Sequence, residues 1–88
     1  MAGETLTLKV VTPEEVVFEG AVSSVVAPGL LGYLGILRNH APLVTTFSPG
    51  KLTAKAVSGQ SHTFRVEEGF LEVHKNRVLV LTDKVLGS

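Results

Sequence analysis

Short runs of alternating apolar and polar residues, broken every few positions by turn residues, constrain this chain more than any other feature. Leu6, Leu8 and Val10 alternate with Thr7 and Lys9, and Leu52, Ala54 and Ala56 alternate with Lys51, Thr53 and Lys55. Phe64 and Val66 alternate with Thr63, Arg65 and Glu67; Leu71 and Val73 alternate with Phe70, Glu72 and His74. Successive strand side chains point to opposite faces, so each run sets one face against a core and the other toward water or a partner. From Val78 to Leu81 every position is apolar, the pattern of a central strand covered on both sides. Further strand candidates run from Val16 to Phe18, Ala21 to Ala27 and Tyr33 to Leu37.

Ser48-Pro49-Gly50, Ser58-Gly59-Gln60 and Lys75-Asn76-Arg77 fall between runs and carry turn chemistry. Thr12-Pro13-Glu14-Glu15 has the makings of a helix start: a capping threonine, a proline first, a glutamate three after the cap. Val16, Val17 and Phe18 follow it, then Gly20, and β-branched residues with a glycine stop a helix within a turn. The segment therefore reads as a turn between two strands. About eight to ten short strands and no convincing helix predict an all-β, antiparallel β-sandwich or flattened barrel. Phe64, Val66, Leu71, Val73, Val78 and Val80 are the predicted inter-sheet core.

At 88 residues the chain is one domain, residues 1–88. A domain of this size buries only about 60% of the surface its unfolded chain exposes. There is no cysteine, so neither a disulfide nor a thiolate zinc site can supplement that core. Eight Lys plus Arg balance eight Asp plus Glu with no basic run, which argues against nucleic acid and against an anionic lipid surface. Mean hydropathy is +0.34 while only 18% of residues are charged. The longest uncharged apolar-rich run, Val25 to Leu37, has 13 residues with one proline and three glycines inside it, short of the about 20 that a membrane-spanning helix needs. The opening "MAGETLTL" has neither a basic segment nor a long apolar stretch, so no signal peptide is expected. These features predict a cytoplasmic protein, not inserted in a membrane, whose surplus apolar surface enters an interface.

The stretch Pro28 to Pro42, "PGLLGYLGILRNHAP", invites a nucleotide-binding reading. Its glycines stand at 29, 32 and 35, which is not G-x-G-x-x-G, with no lysine and no helix after them. They are expected instead to permit positive φ or close backbone approach at turns. The three histidines, His40, His62 and His74, have no local metal-ligand spacing. His62 and His74 fall at polar positions and are expected to be exposed; His40, in a turn, reads as a local hydrogen-bonder. No serine or threonine has a base-and-acid motif around it, and adjacent Glu67 and Glu68 would point to opposite faces. No catalytic residue, metal ligand or cofactor site is predicted, nor tight ATP binding.

The string Gly32-Tyr33-Leu34-Gly35-Ile36-Leu37-Arg38-Asn39-His40-Ala41-Pro42-Leu43 resembles the signature of the epsilon subunit of F-type ATP synthase. "VVTPEEVVFEGAV" resembles that family's opening strands and "FSPGKL" the turn and strand after its signature. "EEGFLEVHKNRVLVLTD" resembles its final hairpin, with Glu68 in place of the first residue of a usual Gly-Gly-Phe. Together these cover nearly the whole chain. The resemblance implies a β-sandwich of about ten strands and a non-catalytic place in the rotor, against the gamma subunit and on the c-ring of the membrane sector, coupling proton transport to ATP synthesis. It implies a peripheral position on the cytoplasmic face of an energy-transducing membrane. It puts Leu31, Gly32, Tyr33 and Leu34 on the c-ring side, and Asn39, His40, Ala41, Pro42 and Thr45 on the gamma side. The position of Tyr33 is often acidic in the family; a tyrosine there offers apolar area and a hydroxyl but no ion pair. Typical members continue into a C-terminal pair of helices that carry inhibition and, in some, ATP binding. This chain reaches Ser88 where the sandwich would end, so those functions are not assigned to it. The alternative reading is a free-standing β-barrel module that binds a small ligand or a protein. Independently of family, Leu30, Leu31, Tyr33 and Leu34 cannot all face inward, and Leu31 and Tyr33 are the two expected outside.

Overall fold

The computed structural model describes residues 5–87. Met1 to Glu4, which open the stretch read for a leader, and the closing Ser88 lie outside the described residues. Nine strands follow in order: β1 (Leu6–Val11), β2 (Val16–Gly29), β3 (Gly32–Leu37), β4 (Leu43–Phe47), β5 (Gly50–Ala56), β6 (Ser61–Val66), β7 (Gly69–His74), β8 (Arg77–Thr82) and β9 (Val85–Gly87). They hydrogen-bond in the order β4-β7-β8-β1-β2-β5-β6-β9, with β3 also on β2.

The 14-residue β2 turns this one sheet into two layers. Its Val22 pairs with Leu6 of β1 on one edge and with Ala56 of β5 on the other. Before Val22 the strand pairs with β1; from Ser24 it pairs with β3 and β5. β1 and β3 thus share one edge of β2 in succession. The β5 register slips between Val22 and Ser24, where the Ser23 hydroxyl donates to the Lys55 carbonyl at 3.1 Å. Bulges of this kind bend and twist a strand, so β2 crosses from one layer to the other. Leu8, Val10, Leu71 and Val80 from one layer and Val25, Ile36, Leu52 and Ala54 from the other form a single buried cluster.

The all-β expectation holds, with differences that have physical causes. Val16 to Phe18 and Ala21 to Ala27 are parts of one strand, because Gly20 stays in register opposite Leu8. β4 and β9 were not among the predicted runs, although Leu43 to Phe47 is rich in β-branched residues. One pairing, β1 with β8, is parallel in an otherwise antiparallel sheet. Thr12 to Glu15 is a turn, as expected, and it uses the capping chemistry without a helix. The Glu15 N–H donates to the Thr12 hydroxyl at 3.3 Å, and the Thr12 N–H donates to the Glu15 carbonyl at 2.9 Å.

Five of the six predicted core residues are buried; Phe64 is not. It is partly buried and packs edge-on against Phe18, ring centroids 5.7 Å apart. β9 covers β6 only at Arg65 and Val66, so the inner face near Phe64 lies at the rim of the layer. His62 shares that face with Phe64 and Val66, and its ring stands 5.3 Å from Phe18. It is half-buried, not on the polar face where a reading by residue type put it; His74 is exposed. β8 lies inside the sheet, between β7 and β1, yet only one of its faces is covered: Leu81 is left exposed.

Candidate partner-binding surface

The glycine-leucine stretch forms the β2–β3 hairpin. Gly29 pairs with Gly32, leaving Leu30 and Leu31 as the loop. Gly32 takes φ +127°, open to few residues with a side chain, and a Cβ on Gly29 would stand 2.6 Å from the Gly32 carbonyl oxygen. The tip is therefore built on two glycines for the reasons expected. Gly35 is different: its φ is not positive and no atom would obstruct a Cβ there, so neither reason applies.

At this tip Leu31 is fully exposed, and Leu30 and Tyr33 keep about two-thirds of their surface in contact with solvent. Leu34 turns the other way and packs on the core, on the same face as the buried Ile36 two residues on. The expectation that Leu31 and Tyr33 face outward holds, but Leu30, in the loop where strand alternation does not apply, is as exposed as Tyr33, and the structure withdraws most of Leu34 from any outward contact. Below the tip, the Ser48 N–H donates to the Pro28 carbonyl at 2.9 Å, fixing the hairpin to the β4–β5 turn. Leu30 borders an open groove shared with Val11, Pro13, Pro49, Phe70 and Leu81. On the outer face of the sheet, Thr46, Phe70, Leu81 and Val11 lie in one cross-strand row. The apolar members of that row were not singled out from sequence, although Leu81 in an unbroken apolar run was the available signal.

The opposite end of β3 is polar and tightly tied. Residues 38–42 connect β3 to β4. Asn39 has φ +68°. Its N–H donates to Asn76 Oδ1 at 2.6 Å, and Asn76 Nδ2 donates back to Asn39 Oδ1 at 3.4 Å. The His40 N–H donates to the Leu37 carbonyl at 3.1 Å. His40 Nδ1 lies 2.7 Å from the Ala41 carbonyl oxygen, which can only accept, so Nδ1 carries the proton. His40 is the local hydrogen-bonder that its turn position implied. Arg38, Ala41 and Pro42 are exposed. Thr45 shares the inward face of β4 with Leu43 and Phe47, and its hydroxyl donates to the Thr46 carbonyl at 3.0 Å; Val44 is the residue that β4 presents outward. Leu31 to Tyr33 and residues 39–42 thus sit at opposite ends of one six-residue strand, roughly 20 Å apart; Thr45 does not join the second group there, because β4 runs back toward the tip, where Ser48 bonds to Pro28. Among the described residues no cluster of side chains could hold a metal ion, and no helix is long and apolar enough to cross a membrane.

Residues 5–87 match the family model of the ATP synthase delta/epsilon chain β-sandwich domain. The chain belongs to that family. The ATP synthase epsilon chain of Chlorobaculum tepidum is 38% identical over 82 residues, covering 93% of each chain. That of Chlorobium limicola is 40% identical over 78 residues, covering 89% of each. The epsilon chain of Moorella thermoacetica is 40% identical over 79 residues, and there the match spans 90% of this chain and 59% of the relative. Epsilon chains are structural and regulatory subunits of a membrane-associated complex rather than its catalytic ones. The fold recurs in a chain of the Euglena gracilis mitochondrial ATP synthase, solved as an OSCP/F1/c-ring assembly, with TM-score 0.90 and 20% identity over 96% of this chain and 54% of that one. It recurs in the central stalk and c-ring of the Tetrahymena thermophila enzyme, with TM-score 0.76 and 20% identity over 93% and 66%.

Proposed function

We propose that this domain is a non-catalytic rotor element of a proton-translocating F-type ATP synthase, seated on the c-ring through the β2–β3 tip and on the gamma subunit through the 39–45 segment. It turns with both and helps couple proton flow to ATP synthesis, at the cytoplasmic face of an energy-transducing membrane. The observation that carries this reading is the tip itself: a two-glycine hairpin that holds Leu30, Leu31 and Tyr33 away from the core. Exposed apolar side chains on a fixed hairpin are unfavourable unless a partner covers them. The family supplies such a setting, and the two solved structures named above are assemblies that contain a c-ring. With a tyrosine ring and hydroxyl at position 33 in place of a carboxylate, the tip contact is apolar with a hydroxyl at its margin, and it does not depend on an ion pair.

Co-sedimentation with synthase-containing membranes depleted of their own epsilon subunit tests the proposal. The chain should be retained with gamma and c-ring, and 0.5 M salt should weaken its retention little. A chain that stays in the supernatant at every salt concentration would contradict the rotor reading.

A further inference from the structure

We propose that Asn76, in the turn between β7 and β8, is a positioning residue for the 38–42 loop and so sets the surface that the loop offers to its stalk partner. This rests on the gamma-side reading above. His40 bonds to Leu37 and Ala41, both within or next to the loop, so these bonds shape it without orienting it on the sheet. The bond from the Asn39 N–H to Asn76 Oδ1 is of another kind: it joins the loop to a hairpin 37 residues away. At 2.6 Å it is shorter than an ordinary N–H···O bond.

Asn76 is suited to the task because it is itself held. Lys75 and Asn76 both have positive φ, 49° and 62°, the signature of a two-residue type I′ turn whose twist matches the flanking strands. The Asn76 carbonyl accepts the Thr7 N–H at 2.9 Å, anchoring the turn to β1, next to its first residue. Asparagine is one of the few residues with a side chain that tolerates this backbone region, and its amide oxygen is free to accept from Asn39. Asn39, also at positive φ, is the matching half. The two asparagines thus brace β3–β4 against β7–β8, and Arg38, Ala41 and Pro42 are presented from a fixed base.

Two variants of the full chain separate the side chain from the turn. Asn76→Gly keeps a residue at ease with positive φ and removes the acceptor. Asn76→Asp keeps an acceptor oxygen, and the Asn39 amide can rotate to donate to the second one. The first readout is hydrogen exchange at the Asn39 amide in the isolated chain. The second is affinity for the isolated gamma subunit, with retention on c-ring as a control. Loss of one hydrogen bond should speed Asn39 exchange in Asn76→Gly by roughly tenfold and weaken gamma binding several-fold, with c-ring retention unchanged. Asn76→Asp should restore both. Unchanged Asn39 exchange in Asn76→Gly would overturn the proposal, as would faster exchange with gamma affinity intact. If the wild-type chain does not bind gamma, the gamma-side reading fails and takes the partner part of the proposal with it; Asn39 exchange, read without any partner, distinguishes that failure from an error about the clamp.

Discussion

The two ends of β3 solve opposite problems with the same strand. At the β2–β3 tip the backbone is held by glycine geometry while the side chains point into solvent, apolar and unpartnered within the chain. At the β3–β4 loop, residues 38–42 lie between the exposed Leu37 and Val44, and a cross-hairpin asparagine pair and a histidine hold the segment by hydrogen bonds. The tip carries its large apolar side chains at its apex and has little polar chemistry; the loop has fixed polar geometry, with large apolar side chains only at its flanks, Leu37 and Val44. An apolar tip gains from being covered and tolerates sliding, whereas a hydrogen-bonded loop gains from register. On the proposed reading, a small domain that joins two parts of one rotor can use both kinds of contact, and separating them by the length of β3 lets each be altered alone.

Ile36 lies between the two regions and is fully buried. Ile36→Ala should destabilise the domain by about 2–5 kcal/mol and loosen both ends together. Thermal melting should show a fall of roughly 10 °C or more for a domain of this size. A loss confined to one end, read by residue-resolved hydrogen exchange, would show that β3 does not link them. Gly29→Ala places a Cβ against the Gly32 carbonyl and should cost about 1–3 kcal/mol through backbone displacement. Its effect should be local: partner retention through the tip falls while Asn39 exchange stays as in the parent. Phe64→Ala tests a site outside both regions. Because the ring is only partly buried, the loss should be about 1–2 kcal/mol, below that of a fully buried phenylalanine, and a melting curve matching that of Ile36→Ala would return Phe64 to the core. Asn39→Gly should have the smallest effect, within about 0.5 kcal/mol on stability, since glycine accepts φ +68° and the 3.4 Å bond it removes is long. A drop of several degrees in melting temperature would mean that the Asn39 side chain matters more than its N–H.

Much of this fold was legible from alternation alone, because period-two patterning is written directly into β1, β5 and β7 and their burial follows it. The continuity of β2 was not, since Glu19-Gly20 reads as a break and only pairing with β1 shows that it is bridged. The parallel β1–β8 contact joins segments from opposite ends of the chain, which local pattern cannot specify. Leu31 and Tyr33 could be found because a tight hairpin forces side chains outward; that Leu34 and Thr45 turn inward follows the same rule carried one strand further. Asn76 was read only as a turn residue. Its second role, accepting from Asn39, exists through a tertiary contact and leaves no local trace in the sequence beyond the asparagine itself.

The most direct test of the tip as a grip on the ring is the double substitution Leu31→Asp with Tyr33→Asp, read in vesicles reconstituted with the complete synthase. Neither side chain contributes to the core, so the melting temperature of the isolated chain should stay within a few degrees of the parent. A carboxylate carried into a closing apolar contact must be desolvated, at a cost of a few kcal/mol if unpaired. ATP-driven proton pumping should therefore fall sharply while ATP hydrolysis by the soluble sector persists. Coupled pumping at the parental level would contradict the account, because it would mean that this hairpin does not hold the ring; an unfolded double mutant would mean that the tip belongs to the core.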